Sequence, residues 1–188
     1  MHAVAEKIRW QEFREMELDD ADAYLYELID GEIMKRNYPS LEHQETLSRL
    51  FIQFRLFADQ QNLGRVLPAP FGVILDEFND VQPDLIFVSE TKRDIVRRDG
   101  IHGVPDLLVE IISPTSVTRD RVRKKAVYER LGVAEYWLVD PQNGSIEVYE
   151  RTETGYELFS DSETSPVVKS KVLAGLEVEA KALFAGNP

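Results

Sequence analysis

Apolar and polar positions along the first third of the chain predict a hairpin followed by a long helix. In residues 24–35, apolar side chains flank Asp30-Gly31, a dipeptide that favours a tight hairpin turn. After Ser40, apolar positions recur at helical spacing up to about Gln61. The apolar stripe of this predicted helix consists of His43, Leu47, Leu50, Phe51, Phe54 and Phe57.

The middle of the chain predicts strands interrupted by proline and then a polar segment. Residues 65–75 are interpreted as two short strands separated by Pro68-Ala69-Pro70. Residues 81–88 predict another strand, which the chain enters through Pro83-Asp84. Residues 89–104 are polar and basic, which is typical of a surface loop, either a mobile one or one that gates a cleft.

The second half of the chain predicts a buried strand, a helix and an antiparallel meander. Residues 107–112 are nearly all apolar, as expected of a strand covered on both faces. Polar residues 113–116 end this strand, and a helix is predicted from about Val117 to Leu131, ending near Gly132. Further strands are predicted at residues 135–139, 145–150 and 156–159, and a strand with a short helix at residues 172–184. This order predicts one domain over residues 1–188 with an α/β (α+β) fold, a mixed β-sheet flanked by helices with an antiparallel C-terminal meander.

Composition is ordinary for a globular protein and excludes some classes of site. Hydrophobic residues make up 43% of the 188 positions and charged residues 30%, which suits one domain with a real core. The chain has no cysteine, so a disulfide framework and a zinc–thiolate site are excluded. Residues 1–12 lack an apolar signal region, and no run approaches 18 apolar residues. We therefore expect a cytoplasmic protein without a membrane partner.

The net charge of −12 argues against a broadly electrostatic nucleic-acid binder. Affinity for phosphates depends on local basic clusters, however, and a metal site itself needs carboxylates. One such cluster consists of Lys92, Arg93, Arg97, Arg98, Arg119, Arg121, Arg123, Lys124 and Lys125. Charge alone leaves two interpretations open, a nucleic-acid surface and a solvated face that balances an acidic chain.

Glu110 is the most informative residue, because it interrupts the apolar run of residues 107–112. Burying a lone carboxylate costs several kcal/mol, so such a group must be protonated, paired or bound to a cation. Asp106 would share its face of the strand, since side chains alternate. A structural salt bridge from Glu110 to an arginine is the alternative.

The following helix offers a positive partner for that carboxylate. At 3.6 residues per turn, Asp120 and Lys124 fall on the stripe of apolar residues that faces the sheet. Lys124 is therefore the basic residue that points toward Glu110. The alternative is a weak ion pair between Asp120 and Lys124 themselves, which leaves Glu110 unexplained. Tyr128 and Trp137 are interpreted mainly as core residues, with Tyr128 next to a cleft as the alternative.

Asp84 is the second candidate acid, because it stands where a predicted strand begins. If that strand pairs with the strand of Glu110, two carboxylates meet at one sheet edge, and such a pair suits magnesium. The metal would lower the pKa of a bound water and neutralise phosphate charge. Lys124 would then orient the attacking water and stabilise developing charge.

Three further residues carry weaker signals. His43 lies in the first turn of its helix on the apolar stripe, so it is either a hydrogen-bonded core residue or a metal ligand or proton shuttle. Glu27 and Glu42 are interpreted as a strand-edge residue and a charge at a helix N-terminus.

These residues lie in segments that resemble the Uma-two family, which is assigned to the PD-(D/E)XK superfamily of restriction-endonuclease-like proteins. The resemblance is carried by residues 104–116, by Asp120, Lys124 and Tyr128, by residues 132–141, and also by residues 26–31, His43 and Pro83-Asp84. It implies a restriction-endonuclease-like mixed sheet with Mg²⁺ at its open edge, or Mn²⁺ in its place. Asp84 matches the first acidic position of the superfamily and Glu110 the second.

The chain departs from the superfamily pattern at two positions. The superfamily lysine usually follows the second acid by two residues, but residue 112 is isoleucine, and the family lysine corresponds to Lys124. The N-terminal acidic ligand of many relatives is replaced by His43. The resemblance therefore implies catalytic roles for Asp84, Glu110, Lys124 and His43, with Asp84 and Glu110 as metal ligands.

The resulting prediction is a Mg²⁺-dependent endodeoxyribonuclease that hydrolyses phosphodiester bonds in DNA. Two alternatives stay open, a non-catalytic module that binds nucleic acid or protein on the same fold, and a hydrolase of another phosphate ester. A homodimer through the C-terminal meander is a further open alternative.

Overall fold

Two six-stranded sheets form the framework of the protein. The computed structural model describes residues 7–18, 26–114 and 116–186. Its strands are, in chain order, β1 (Tyr26–Ile29), β2 (Glu32–Lys35), β3 (Gly64–Pro68), β4 (Val73–Asp76), β5 (Asn79–Val81), β6 (Leu85–Ser89), β7 (Val96–Arg97), β8 (Gly100–His102), β9 (Leu107–Ile111), β10 (Glu135–Asp140), β11 (Ser145–Thr152), β12 (Gly155–Asp161), β13 (Val167–Lys169) and β14 (Glu177–Glu179). Its helices are α1 (Trp10–Glu15), α2 (Leu41–Gln60), α3 (Lys125–Leu131) and α4 (Ala180–Phe184), with a 3₁₀ segment at Glu90–Ile95 and a π-helical segment at Arg119–Lys124.

The first sheet has the strand order β2-β1-β5-β4-β8-β7. Its β1–β2 hairpin turns at Asp30 and Gly31, whose φ angles of 52° and 79° suit a tight primed turn. The predicted hairpin is thereby confirmed, although Tyr24, the first residue of that prediction, lies outside the described residues.

The second sheet has the order β12-β11-β10-β9-β6-β3, with β9 and β10 parallel and the other pairs antiparallel. All five residues of β9 are buried, as predicted. Leu107, Val109 and Ile111 contact the core beneath α2, whereas Leu108 contacts the core beneath α3. Glu110 shares the face of Leu108, since strand side chains alternate, and therefore points toward the helix that follows.

The chain passes between the two sheets at residues 82–84, so the single predicted strand over residues 81–88 is wrong. β5 ends at Val81 in the first sheet, and β6 begins at Leu85 in the second. Pro83 has no N–H to continue a ladder, and Asp84 instead donates its N–H to the Val109 carbonyl at 3.0 Å. This passage places Asp84 against β9.

One other prediction of local structure is wrong. Residues 89–104 are not a loop, because β8 pairs in parallel with β4 and buries Ile101 completely. The predicted helix over residues 117–131 is confirmed, with a π-helical stretch at Arg119–Lys124 that the sequence did not predict.

The remaining long elements match their predictions. Ser40 caps α2 by accepting a hydrogen bond from the His43 N–H at 3.3 Å. The β11–β12 meander forms, and β14 with α4 supplies the predicted C-terminal strand and helix. In the described part of the chain, no helix combines the length and apolar character needed to cross a membrane.

Candidate active site

Five charged side chains meet in the interior where the two sheets approach each other. Glu27 comes from β1, Asp84 from the passage between the sheets, Glu110 from β9, and Asp120 and Lys124 from the π-helical segment. Their exposed fractions are 0% for Glu27, 2% for Asp84, 1% for Glu110, 1% for Asp120 and 0% for Lys124. We call this group the buried charge cluster.

Lys124 lies at the centre of the buried charge cluster. Its ammonium group donates to both oxygens of Glu110 at 2.9 and 3.0 Å and lies 2.7 Å from Oε1 of Glu27. The hydroxyl of Tyr128 also donates to Oε1 of Glu110 at 2.6 Å. The structure thus brings Lys124 and Glu110 together as the helical stripe predicts, and the partners of Glu110 are a lysine and a tyrosine rather than an arginine.

The π-helical segment presents Asp120 and Lys124 on its inner side. In a π-helical turn, each N–H donates to the carbonyl five residues earlier in the chain instead of four. Such turns are rare in proteins, but many of those that occur lie at functional sites. The carbonyl of Asp120 accepts a hydrogen bond from the Tyr136 hydroxyl at 3.1 Å. Asp120 and Lys124 are themselves 3.9 Å apart, so the ion pair considered as the alternative is also present, but it is longer than the contacts of the ammonium with Glu27 and Glu110.

Asp84 is held by three donors from different elements. Its Oδ2 accepts the Ile111 N–H at 2.7 Å and lies 3.2 Å from Nε2 of His43, while Oδ1 accepts from Arg36 at 3.2 Å. Burial opposes ionisation of this carboxyl, but the hydrogen bond and charge of His43, the charge of Arg36 and the Ile111 N–H together hold the pKa of Asp84 well below its usual range. His43 is thus a buried partner of Asp84, and its Nδ1 makes no hydrogen bond to a described residue.

Glu27 belongs to the buried charge cluster, so its assignment to a strand edge is wrong. Its Oε1 accepts the Gln82 N–H at 2.7 Å, whereas its buried Oε2 accepts no hydrogen bond from a described residue. Oε2 lies 3.7 Å from Arg119 and 3.9 Å from Arg36. Burial opposes ionisation, but Lys124, Arg36 and Arg119 lower the pKa of Glu27. The signal available in the sequence was strand alternation, which puts Glu27 on the same face as the apolar Ile29.

Negative charge exceeds positive charge around Glu110. The four carboxylates are Glu27, Asp84, Glu110 and Asp120, and the nearby cations are Lys124, Arg36 and Arg119. Burial raises the pKa of Glu110 to about 8; the Lys124 ammonium opposes this rise, and the charges of Asp120, Asp84 and Glu27 add to it. An additional cation beside Glu110 would therefore be favourable.

The donor chemistry of the buried charge cluster fits a divalent cation. Carboxylate oxygens are the ligands that Mg²⁺ prefers, and Oε2 of Glu27 is a buried oxygen without a hydrogen bond. Within residues 7–18, 26–114 and 116–186, no three Asp, Glu or His side chains are already arranged as a metal site. In this arrangement the Lys124 ammonium touches both oxygens of Glu110, and three donors hold Asp84.

A cavity of about 200 Å³ opens beside Asp84. Its charged wall contains Arg36, His43, Asp84, Arg119 and Asp120. Glu110 and Lys124 lie behind this wall, with exposed fractions of 1% and 0%. Any reacting group that reaches the buried charge cluster therefore approaches from the side of Asp84 and Asp120.

Most of the basic residues noted in the sequence are paired with acids. These pairs join Lys92 to Asp106 (2.9 Å), Arg93 to Glu90 (3.1 Å), Arg121 to Glu147 (2.6 Å) and Arg123 to Glu32 (2.6 Å). These contacts favour the interpretation of those residues as a balanced surface. Glu42, the remaining weak candidate, is the acidic residue in the first turn of α2, as predicted.

Comparisons with known proteins identify a family and a solved structure of similar fold. Residues 10–181 match the model of the Uma2 family, which is described as "Putative restriction endonuclease". The fold matches the crystal structure of "a putative nuclease belonging to DUF820" from Anabaena variabilis with a TM-score of 0.75 and 20% sequence identity, over 94% of this chain and 97% of that one. No curated protein matches the chain significantly.

Proposed function

The chain belongs to the Uma2 family, and we propose that it is a nuclease that hydrolyses phosphodiester bonds in DNA with the help of Mg²⁺ or Mn²⁺. The observation that carries this proposal is the buried contact of the Lys124 ammonium with both oxygens of Glu110. Asp84 immediately precedes β6, the strand next to β9, and lines the cavity, so two acids and one amine converge where a phosphate can approach.

Asp84 and Glu110 are the residues that would hold the cation. When bound, a divalent cation neutralises charge on a phosphate and lowers the pKa of a bound water. Asp84 suits this role because it is ionised at any ordinary pH, given the lowered pKa described above. Glu110 contributes a second carboxylate. The neighbouring acids disfavour its negative charge, and a nearby cation would offset that effect.

Lys124 supplies a fixed positive charge beside these acids. An ammonium held in a dry interior stabilises developing negative charge far more than one in water, because water does not screen it. Glu27 positions the ammonium through a contact of 2.7 Å, and Tyr128 orients Glu110 through its hydroxyl. His43 and Arg36 hold the carboxylate of Asp84 at the cavity wall.

A non-catalytic module that binds nucleic acid or protein is the second candidate function. The observation in its favour is the acidic surface, since the net charge is −12 and several basic side chains are paired with acids. The complete set of Asp84, Glu110 and Lys124 favours the nuclease instead, because a binding module has no need to retain it.

Cleavage assays with Mg²⁺ or Mn²⁺ test the proposal. The substrates are plasmid DNA, DNA and RNA oligonucleotides, and a panel of nucleotides that covers other phosphate esters. Wild type is compared with Asp84→Asn, Glu110→Gln and Lys124→Met. The matched control is Asp106→Asn, because Asp106 precedes β9 but pairs with Lys92 outside the buried charge cluster.

We expect cleavage of DNA by wild type and by the control, and loss of cleavage with EDTA or in the three site variants. If wild type cleaves no substrate with either metal, the binding module replaces the nuclease. If the three variants cleave as fast as wild type, the reaction takes place elsewhere.

A further inference from the structure

The cavity beside Asp84 is lined by apolar residues as well as by charged ones. The apolar residues include Tyr38, Pro39, Leu47, Ala69 and Pro70. Tyr38 is 71% exposed, so its ring is accessible to a partner from solvent. A volume of about 200 Å³ is below the roughly 300–1,000 Å³ typical of pockets for drug-sized ligands. One base, or one base with its sugar, is the scale of group that fits.

The depth of the buried charge cluster restricts the form of nucleic acid that can reach it. Asp84 is 2% exposed and Lys124 is completely buried, so a scissile phosphate must enter the cavity to approach them. Duplex DNA is stiff, with a persistence length of about 150 base pairs, and holds its phosphates on the outside of a rod. An unpaired strand bends at each nucleotide and can place one phosphate and one base inside.

The distribution of positive charge also favours an unpaired strand over duplex DNA. Arg36 and Arg119 line the cavity, and their side chains are 15% and 13% exposed, so two guanidinium groups border the space that a phosphate would enter. Both already pair with acids of the cavity wall, Arg36 with Asp84 at 3.2 Å and Arg119 with Asp120 at 3.0 Å. Outside the cavity, Arg121 and Arg123 also pair with acids, at 2.6 Å. Among the described residues, these pairs leave no broad basic face of the kind that tracks a duplex backbone.

We propose that the cavity binds a single unpaired nucleotide, so that the substrate is single-stranded or locally unpaired DNA rather than intact duplex. The base lies against Tyr38 and the prolines, and its phosphate lies near Arg119 and Asp84. Stacking on an aromatic ring accepts every base, so this binding is tolerant of sequence. The inference rests on the proposed function for its chemistry, but binding can be measured without cleavage.

Fluorescence anisotropy tests this proposal on the wild-type chain, in one series with Ca²⁺ in place of Mg²⁺, so that a cation offsets the buried carboxylates, and in a parallel series with EDTA. The probes are a labelled oligonucleotide, the same sequence in a perfect duplex, and a duplex with a central unpaired loop. We expect the single strand and the looped duplex to bind at least about tenfold more tightly than the perfect duplex, a difference that corresponds to one decade in Kd.

Variants at Tyr38 test the position of the base. Tyr38→Ala should weaken binding of the single strand by about fivefold or more, whereas Tyr38→Phe should retain it, because stacking needs the ring and not the hydroxyl. Leu41→Ala is the matched control, since Leu41 is an apolar residue 63% exposed at the start of α2 and does not line the cavity.

The outcomes separate this inference from the proposed function. Duplex binding as tight as single-strand binding, no binding of any probe, or equal losses in Tyr38→Ala and Leu41→Ala would overturn the unpaired-nucleotide site. If perfect duplex is cleaved at the same rate as single-stranded DNA, the unpaired-nucleotide site is overturned, whereas the proposed nuclease function stands. If single-stranded DNA binds tightly but no substrate is cleaved, the nuclease function is overturned and the unpaired-nucleotide site stands.

Discussion

Two glutamates are buried in neighbouring parallel strands of the same sheet, and their surroundings differ in kind. Glu110 on β9 is 1% exposed and Glu135 on β10 is 0% exposed. Glu110 accepts hydrogen bonds from the Lys124 ammonium and the Tyr128 phenol, whereas Glu135 accepts four hydrogen bonds from neutral donors. Those donors are the Trp137 indole (2.6 Å), the Ser170 hydroxyl (2.6 Å) and the N–H groups of Lys171 (2.6 Å) and Val172 (2.8 Å).

The difference distinguishes Glu135, a carboxylate that stabilises the fold, from Glu110, a carboxylate whose surroundings suit it to catalysis. Two of the donors to Glu135 are backbone N–H groups, and three of the four tie residues 170–172 to the second sheet. The charge of Glu110 is incompletely balanced, because its one cationic hydrogen-bond partner among the described residues is the Lys124 ammonium and three other acids lie near it. Burial alone does not identify a functional carboxylate; the kind of partner does.

The largest expected effect concerns activity at Glu110. Glu110→Gln keeps the size of the side chain but removes a ligand charge, so we expect cleavage to fall by about 10³-fold or more, which is roughly 4 kcal/mol. The free energy of unfolding in urea should not fall at about pH 8, because the variant removes a poorly balanced charge. If Glu110→Gln loses much stability but retains its activity, Glu110 has the structural role that is assigned here to Glu135.

The next effect concerns stability at Glu135. Glu135→Ala leaves four buried donors without an acceptor, so we expect the free energy of unfolding to fall by about 3–5 kcal/mol. Urea titration followed by tryptophan fluorescence measures it. Glu179→Ala, an exposed position on β14, is the control and should change stability by less than about 0.5 kcal/mol. A change below about 1 kcal/mol at Glu135 would show that its hydrogen bonds are dispensable.

A third effect is the pH dependence of stability without metal. The pKa of Glu110 is about 8 in the folded state against 4.5 as the ordinary value, so between these pH values the folded state binds a proton that the unfolded state does not. Stability must therefore fall as pH rises through this range. The full rise in pKa corresponds to at most about 5 kcal/mol of unfolding free energy.

Glu110→Gln should lack this contribution, because an amide does not titrate. The measurement is the difference in unfolding free energy between wild type and Glu110→Gln in EDTA at several pH values. The difference should grow in favour of the variant with rising pH. A difference that is constant with pH would mean that the proton affinity of Glu110 is the same in both states.

The smallest effect concerns the hydroxyl that orients Glu110. Tyr128→Phe removes one buried hydrogen bond of 2.6 Å and retains the ring, so we expect a loss of about 1 kcal/mol in stability. Cleavage should fall by about tenfold, because Glu110 is less firmly oriented. A loss of activity as large as that in Glu110→Gln would instead assign Tyr128 a direct part in the reaction.

Local patterns in the sequence predicted the elements that carry Glu110 and Lys124. The apolar run around Glu110 identified β9, and a wheel of 3.6 residues per turn put Asp120 and Lys124 on one inner face. That projection succeeded although the segment is π-helical, because positions four apart lie close to one another in both kinds of helix. The π-helix itself leaves no local signal, since the same residues suit an α-helix.

Long-range contacts were beyond the reach of such patterns. Glu135 also stands in an apolar stretch, but three of its four donors come from residues 35 to 37 positions later in the chain. Strand alternation put Glu27 on the face of Ile29, but nothing near it in sequence reveals that this face lies toward Lys124. Tertiary packing decides both cases, and it is set by the whole fold.

Calorimetric titration with Mn²⁺ tests most directly whether Glu110 and Asp84 form a cation site that Glu135 does not share. Wild type, Glu135→Gln and Asp106→Asn should bind the ion with similar affinity, each measured where it remains folded. Asp84→Asn and Glu110→Gln should bind at least about tenfold more weakly, since each removes a charged oxygen ligand. Equal binding by all five proteins, or no binding by wild type, would contradict the account.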